Sequence, residues 1–383
     1  MSRTAAPTID ERSLAARLWA VHWPLVMVLC VVASVGTAML YSVAGGAIEP
    51  YAARHASRFV LCLAMVFVMA ALPLRFWMAI AYPAYALVLA LLLVVAFAGV
   101  ESGGAHRWIA FGGVTFQPSE FAKVAIVLAL ARFYQWLPRT AFNAPVFVFI
   151  PLLMLAVPTA LILSQPDLGT ASLVLGAGVV MLFLAGIAWP YILLGLGAVA
   201  AAAPFAWSML RGYQKERILN FLEPDRDPLG LGYQIVQSKI ALGSGGLSGK
   251  GFLKGTQSQL DFLPEKHTDF IFTILGEELG LVGSLSVLTL YGVTLVFLLH
   301  IALRVRSHFG RLVASGAAIT LFLHLFVNAG MVMGLLPVVG APLPLVSYGG
   351  TSMLATMALI GLAMNAYVHR REIVHPKTVN PLI

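Results

Sequence analysis

Apolar runs of about 20 residues follow one another along nearly the whole of this chain, and they constrain its fold more than any other feature. A helix rises about 1.5 Å per residue and a bilayer core is about 30 Å thick, so each such run is long enough to cross a membrane. Ten are placed at about 20–41, 58–73, 77–100, 119–135, 144–164, 168–187, 190–209, 269–301, 312–334 and 350–369. Charged residues make up only 10% of the chain, against roughly 25% in soluble domains. The expected fold is therefore all-α, a polytopic integral membrane protein of ten transmembrane helices forming one domain over residues 1–383. The run at 20–41 exceeds a signal-peptide core and follows Arg3, Arg12 and Arg17, so it is expected to be an uncleaved first helix.

Charge sets the expected orientation. With a cytoplasmic N-terminus, the inside segments carry Arg3, Arg12, Arg17, Arg75, Arg132, Arg139, Arg304, Arg306, Arg311, Arg370, Arg371 and Lys377, while the short outside loops carry only Arg54, Arg58 and Arg107. That asymmetry predicts N-in and C-in, with cytoplasmic tails at 1–19 and 370–383. The net charge of +8 is scattered over loops rather than gathered in a stripe, which argues against nucleic acid and for topology and anionic membrane lipids. Cys30 and Cys62 both lie in apolar runs, so neither a disulfide framework nor a cysteine metal cluster is expected.

One polar stretch breaks the pattern. Residues 211–269 hold eight of the 24 Lys and Arg and seven of the 16 Asp and Glu. They form the expected extracytoplasmic loop, about 210–268, between helices seven and eight. Within it, 221–232 stacks Pro, Asp and Gly and reads as turns. Residues 233–242 read as a short amphipathic helix on the membrane surface. Gly243–Gly255 reads as a flexible turn whose Lys250 could meet a diphosphate, although its glycine and lysine spacing fails the nucleotide-loop pattern.

Five groups of residues carry candidate chemistry. Asp269, with Asp261, Glu265, Lys266 and His267 nearby, opens the eighth span, where a carboxylate serves either as a helix cap or, desolvated, as a general base. Asp167 in Gln165-Pro166-Asp167-Leu168-Gly169-Thr170 caps span six or lines a cavity. Arg107, Glu120 and Lys123 lie in the connection into span four; Arg107 and Lys123 suit phosphate, and Glu120 with Lys123 makes an i,i+3 pair. The three prolines and three glycines between Pro337 and Gly350 break helical pairing beside Ser347 and Tyr348, at a depth where irregular backbone lines protein or a wet cavity. Glu277 and Glu278, two turns beyond Asp269, read as a buried pair.

These motifs, in this order, resemble the SEDS family of bacterial cell-wall proteins. The resemblance rests on Gly103-Gly104-Ala105-His106-Arg107-Trp108-Ile109, Phe116-Gln117-Pro118-Ser119-Glu120-Phe121-Ala122-Lys123, the Gln165–Thr170 run, Leu263-Pro264-Glu265-Lys266-His267-Thr268-Asp269-Phe270, Gly276-Glu277-Glu278-Leu279-Gly280 and Pro344-Leu345-Val346-Ser347-Tyr348-Gly349-Gly350. It covers about residues 20–370, and the run from Lys250 to Phe270 is closer to the rod-shape branch than to the division branch. Relatives commonly carry Glu where this chain has Asp261.

The resemblance implies a peptidoglycan glycosyltransferase that polymerises lipid II at the outer face of the cytoplasmic membrane. It implies Asp269 as the essential loop aspartate, activating an acceptor 4-hydroxyl, with undecaprenyl diphosphate leaving. The leaving diphosphate would be met by Arg107, Lys123, Arg211, Lys215 or Lys250, or by a divalent cation, Mg2+ or Mn2+. The implied partners are lipid II and the growing glycan chain, a class B penicillin-binding protein transpeptidase, and the elongation proteins MreC, MreD, RodZ and MreB. The rival expectations are a lipid II flippase, which needs polar groups open to both leaflets, and a noncatalytic scaffold, which predicts an active Asp269→Asn variant.

Overall fold

The computed structural model describes residues 14–102, 105–111, 114–209, 212–223, 231–260 and 262–374. All ten predicted runs are helical. After a short helix α1 (Leu14–Trp19) come α2 (Trp23–Val43), α3 (Ala52–Ala71), α4 (Leu74–Ala98), α5 (Pro118–Trp136), α6 (Pro145–Ser164), α7 (Leu168–Ala185) and α8 (Trp189–Met209). The loop region adds α9 (Gly212–Leu222), α10 (Leu231–Ser244) and α11 (Thr256–Gln259), and the chain continues through α12 (Ile271–Arg304), α13 (His308–Val332) and α14 (Gly350–Val368). Among the described residues, eight of these helices are long and apolar enough to cross a membrane. The chain is a multi-pass membrane protein. Helix α5 falls outside that eight because it carries Glu120, Lys123 and Arg132, yet it is the centre of the bundle: all of its residues except Phe121 and Trp136 are buried. It packs against α4, α7, α13 and α14.

The starts of α3, α5, α7, α12 and α14 meet the ends of α2, α6 and α13 at one end of the bundle, here termed the loop end. The opposite end is tied by Asn365, whose Nδ2 donates to the carbonyls of Met69, Ala70 and Leu72 that close α3. Gln135 adds a link there, accepting from Phe309 N and donating to Val374 O.

Three local features differ from expectation. The connection before α5 is a three-stranded antiparallel meander, β1 (Val100–Ser102), β2 (Ala105–Phe111) and β3 (Val114–Phe116), with Glu101 opposite His106 and Ala110 opposite Thr115. The expected turns at 221–232 are shorter, because α9 runs through Leu222 and α10 begins at Leu231; residues 224–230 lie outside the described residues. Helix α10 extends the predicted 233–242 helix at both ends and is anchored in the bundle, where the Ser238 hydroxyl meets Thr273 Oγ1 at 2.8 Å and donates to Val332 O.

Helix α12 is really two helices. Gly280 takes φ +66° and ψ −161°, a conformation that side chains disfavour. The break lets the Gly245–Gly251 turn dock against it: Leu281 N donates to Gly246 O, Val282 N to Leu247 O, and Lys250 N and Gly251 N to the carbonyls of Glu277 and Glu278. A Cβ on Gly280 would lie 2.3 Å from Gly249 N, so only glycine fits.

Candidate active site

Asp269 lies at the loop end on a tight turn. Thr268 N and Phe270 N both donate to Glu265 O, and the exposed Glu265 carboxylate accepts from Thr268 Oγ1 at 2.8 Å. The capping position of α12 belongs to Phe270 rather than to Asp269.

The turn is clamped from outside. Three successive carbonyls each accept a hydrogen bond: His267 O from Tyr348 N at 2.9 Å, Thr268 O from Ser347 Oγ at 2.6 Å, and Asp269 O from Asn328 Nδ2 at 3.0 Å. Ser347 Oγ is itself fixed by Leu343 N at 2.8 Å, and Asn328 Nδ2 also donates to Ala341 O at 2.8 Å. The irregular segment 337–349 and Asn328 of α13 thus hold the Asp269 turn together. Within it Gly340 has φ +74°, and a Cβ there would contact Asp269 Oδ2 at 3.5 Å. Glycine supplies the left-handed backbone and leaves the space beside the carboxylate clear.

Aromatic rings form one wall. His267 stacks on Tyr51 at 4.7 Å between centroids, Tyr51 meets Tyr348 edge-on, and the Arg58 guanidinium lies 5.0 Å from the Tyr348 ring centroid. Burial pushes the His267 imidazole below its ordinary pKa, Glu265 pulling it up and Lys266 adding to the depression. Beside this wall, Ala33, Thr37, Tyr41, Ala52, Ala56 and Phe59 line an apolar groove between α2 and α3 of about 640 Å³, bordered by Phe252.

The other predicted residues fall into two further groups. Asp167 is buried and caps α7, its Oδ1 accepting from Thr170 N and its Oδ2 from Gln117 Nε2 and Ser119 Oγ. Arg107 on β2 donates to the carbonyls of Gln165 and Pro166 in the same turn. This group touches the Asp269 clamp through Gly169, where a Cβ would lie 2.4 Å from Val339 O. Glu120 and Lys123 form a buried pair at 2.9 Å, and Lys123 Nζ is 2.7 Å from His324 Nε2. His324 Nδ1 faces Thr320 O at 2.8 Å, which makes Nδ1 the protonated nitrogen and Nε2 the acceptor.

Lys250 is not left facing a ligand as expected. Its ammonium bonds Glu277 Oε1 at 2.6 Å, and Glu277 also accepts from Thr256 N, Thr256 Oγ1 and Gln257 N. Glu278 accepts from Ser42 Oγ and Leu253 N. Lys215 lies partly exposed on α9. Arg211 and Asp261 lie outside the described residues. Among the described residues, no group of three His, Cys, Asp or Glu is placed to hold a metal ion.

Sequence reasoning passed over Asn328, His324, Tyr51 and Arg58. Thr320, His324 and Asn328 recur every fourth residue, so they share one face of α13 inside an apolar run. That polar stripe at membrane depth is the signal that marks them.

The sequence profile described as cell cycle protein, FtsW/RodA/SpoVE, matches residues 16–372. The chain belongs to the FtsW/RodA/SpoVE family. It is 47% identical over 321 residues to the peptidoglycan glycosyltransferase MrdB of Escherichia coli K12, spanning 83% of this chain and 86% of that one. It is 39% identical over 311 residues to a probable peptidoglycan glycosyltransferase FtsW of Geobacter metallireducens, spanning 79% and 81%. Among solved structures, a chain from work on the coordination of polymerization and crosslinking by a peptidoglycan synthase complex superposes with a TM-score of 0.79 at 34% identity, covering 92% of this chain and 99% of that one. The rod shape determining protein RodA of Thermus thermophilus superposes with a TM-score of 0.68 at 31% identity, covering 92% and 98%.

Proposed function

We propose that this FtsW/RodA/SpoVE member is a peptidoglycan glycosyltransferase that polymerises lipid II at the outer face of the cytoplasmic membrane, with Asp269 as general base. The observation that carries the reading is the clamped turn: three consecutive carbonyls fix the backbone of Asp269 while Gly340 leaves space beside its carboxylate. A base must be held within hydrogen-bond reach of the proton it takes.

In the proposed step, Asp269 accepts the proton of the acceptor GlcNAc 4-hydroxyl as that oxygen attacks the anomeric carbon of the lipid-linked donor. One C–O bond forms, the bond to the diphosphate breaks, and undecaprenyl diphosphate leaves with the bonding electron pair. One displacement inverts an alpha-diphosphate into a beta linkage, so one carboxylate suffices. The α2–α3 groove suits a polyprenyl chain, being apolar. Arg58, Lys266 and Lys215, with Arg211, are the cations proposed to meet the diphosphate. Lys123 and Lys250 are committed to internal partners. Any Mg2+ or Mn2+ ion is proposed to come bound to the diphosphate, since the described residues offer no cage.

The loop end is proposed to face outward, with both termini cytoplasmic. The proposed partner is a class B penicillin-binding protein transpeptidase within an elongation assembly of MreC, MreD, RodZ and MreB, which would crosslink the strands made here.

The test uses purified protein with its partner's transpeptidase silenced, and labelled lipid II resolved on a gel. The reading expects polymer from the wild type and none from a folded Asp269→Asn variant. Polymer from Asp269→Asn removes Asp269 from the chemistry. Transbilayer movement of lipid II in vesicles, with no polymer from any form, replaces the polymerase with a flippase.

A further inference from the structure

Asn328 is fully buried near the loop end of α13. Its Nδ2 donates to Asp269 O at 3.0 Å and to Ala341 O at 2.8 Å. Two carbonyl partners settle which end of the amide is the NH2 group. Its Oδ1 is buried too, with no partner among the described residues.

Burying an acceptor that way is destabilising, while an apolar side chain of the same size would instead take the donor from the carbonyls of Asp269 and Ala341. With two bonds made and one acceptor stranded, stability alone does not single out an amide here. The two oxygens it joins do. One belongs to the peptide of the residue that carries the carboxylate. The other belongs to the residue after Gly340, which faces that carboxylate.

We infer that Asn328 is a positioning residue for Asp269, setting the distance between the Asp269 peptide and the Gly340–Ala341 backbone. This rests on Asp269 being the base. Of the three bonds that clamp carbonyls 267 to 269, those from Tyr348 and Ser347 come from the 337–349 segment itself. The bond from Asn328 comes from α13, so it alone ties both the turn and the segment to a third, rigid element. Without it the Asp269 peptide can rotate about its neighbours and carry the carboxylate with it. A base displaced by about 1 Å loses about a hundredfold in rate while substrate binding stays intact.

The test measures kcat and KM for lipid II in the full-length protein with its partner, beside the melting temperature. Asn328→Leu keeps the size and removes both donors. It is expected to lower kcat per folded molecule by about 30-fold, to leave KM within about twofold, and to melt only slightly lower than the wild type, the two carbonyls losing their donor as Oδ1 ceases to be stranded. Asn328→Asp loses both donors when ionised but regains one O–H when protonated. Its rate relative to the wild type at the same pH is expected to rise between pH 8 and pH 6, while that of Asn328→Leu stays flat. Wild-type kcat in Asn328→Leu, or a raised KM as its main defect, overturns the inference. If the Leu variant does not fold, a pH-independent ratio for Asn328→Asp overturns it. Asp269→Asn in the same series separates the two claims. An active Asp269→Asn removes the base assignment and this inference together, whereas an inactive one beside a fully active Asn328→Leu removes this inference alone.

Discussion

Asp269, just before α12, and Glu277 and Glu278 within its first turns lie less than three turns apart, and the structure treats them differently. Glu277 and Glu278 are completely buried, and their oxygens are taken up by donors: Lys250, Thr256 and Gln257 on one, Ser42 and Leu253 on the other. Around Asp269 the bonds from α13 and the 337–349 segment act on backbone carbonyls, and the residue opposite Oδ2 has no side chain. The first arrangement locks a loop onto a helix. The second fixes the backbone from which a carboxylate projects, with a glycine facing one of its oxygens. Acidic character is common to both; in the first it is the side-chain oxygens that anchor a loop, and in the second three bonds fix the backbone of residues 267–269.

Four perturbations bear on that contrast, from strongest to weakest. Gly280→Ala forces a side chain into a left-handed backbone and into Gly249 N. The cost is expected to exceed about 3 kcal/mol, read as loss of monodisperse protein in detergent. Glu277→Ala strands Lys250 and the amides of Thr256 and Gln257, for about 3 kcal/mol, seen as a lower melting temperature with unchanged KM in whatever protein remains folded. Ser347→Ala removes one bond to Thr268 O and one from Leu343 N. It is expected to cost about 1–2 kcal/mol and to lower kcat more than the melting temperature suggests.

The fourth concerns pH. His267 has its pKa depressed by burial, so the folded state favours the neutral ring. Its contribution is present above the unfolded value near 6.5 and is lost as pH falls through the lower folded value. Between pH 7.5 and pH 5 the wild type should therefore lose more melting temperature than His267→Gln does. Equal losses would remove His267 as the cause.

The helices were legible because a bilayer demands about 20 apolar residues in a row, and ten runs met that demand. Asp269, Ser347, Tyr348 and His267 were legible because charge and broken helices at membrane depth are rare without a purpose. Other features depend on the tertiary arrangement. The break at Gly280 is masked by apolar residues that continue on both sides of it. Two of the three strands have only three residues, and with glycines at 103, 104, 112 and 113 on either side of the third they give no repeated alternation to read. Lys250 looked available for phosphate because its partner, Glu277, is 27 residues away and meets it only once the Gly245–Gly251 turn docks. Asp167 allowed two readings; its three hydrogen bonds give it the capping role.

The central claim is that Asp269 does chemistry while Glu277 holds structure. The most direct test measures two variants in one preparation, Asp269→Asn and Glu277→Gln, each for lipid II turnover per folded molecule and for melting temperature. The account predicts that Asp269→Asn loses at least about a hundredfold in kcat at an unchanged melting temperature, and that Glu277→Gln melts earlier but turns over normally while folded. Normal turnover in Asp269→Asn, or catalytic loss in Glu277→Gln without loss of stability, would contradict it.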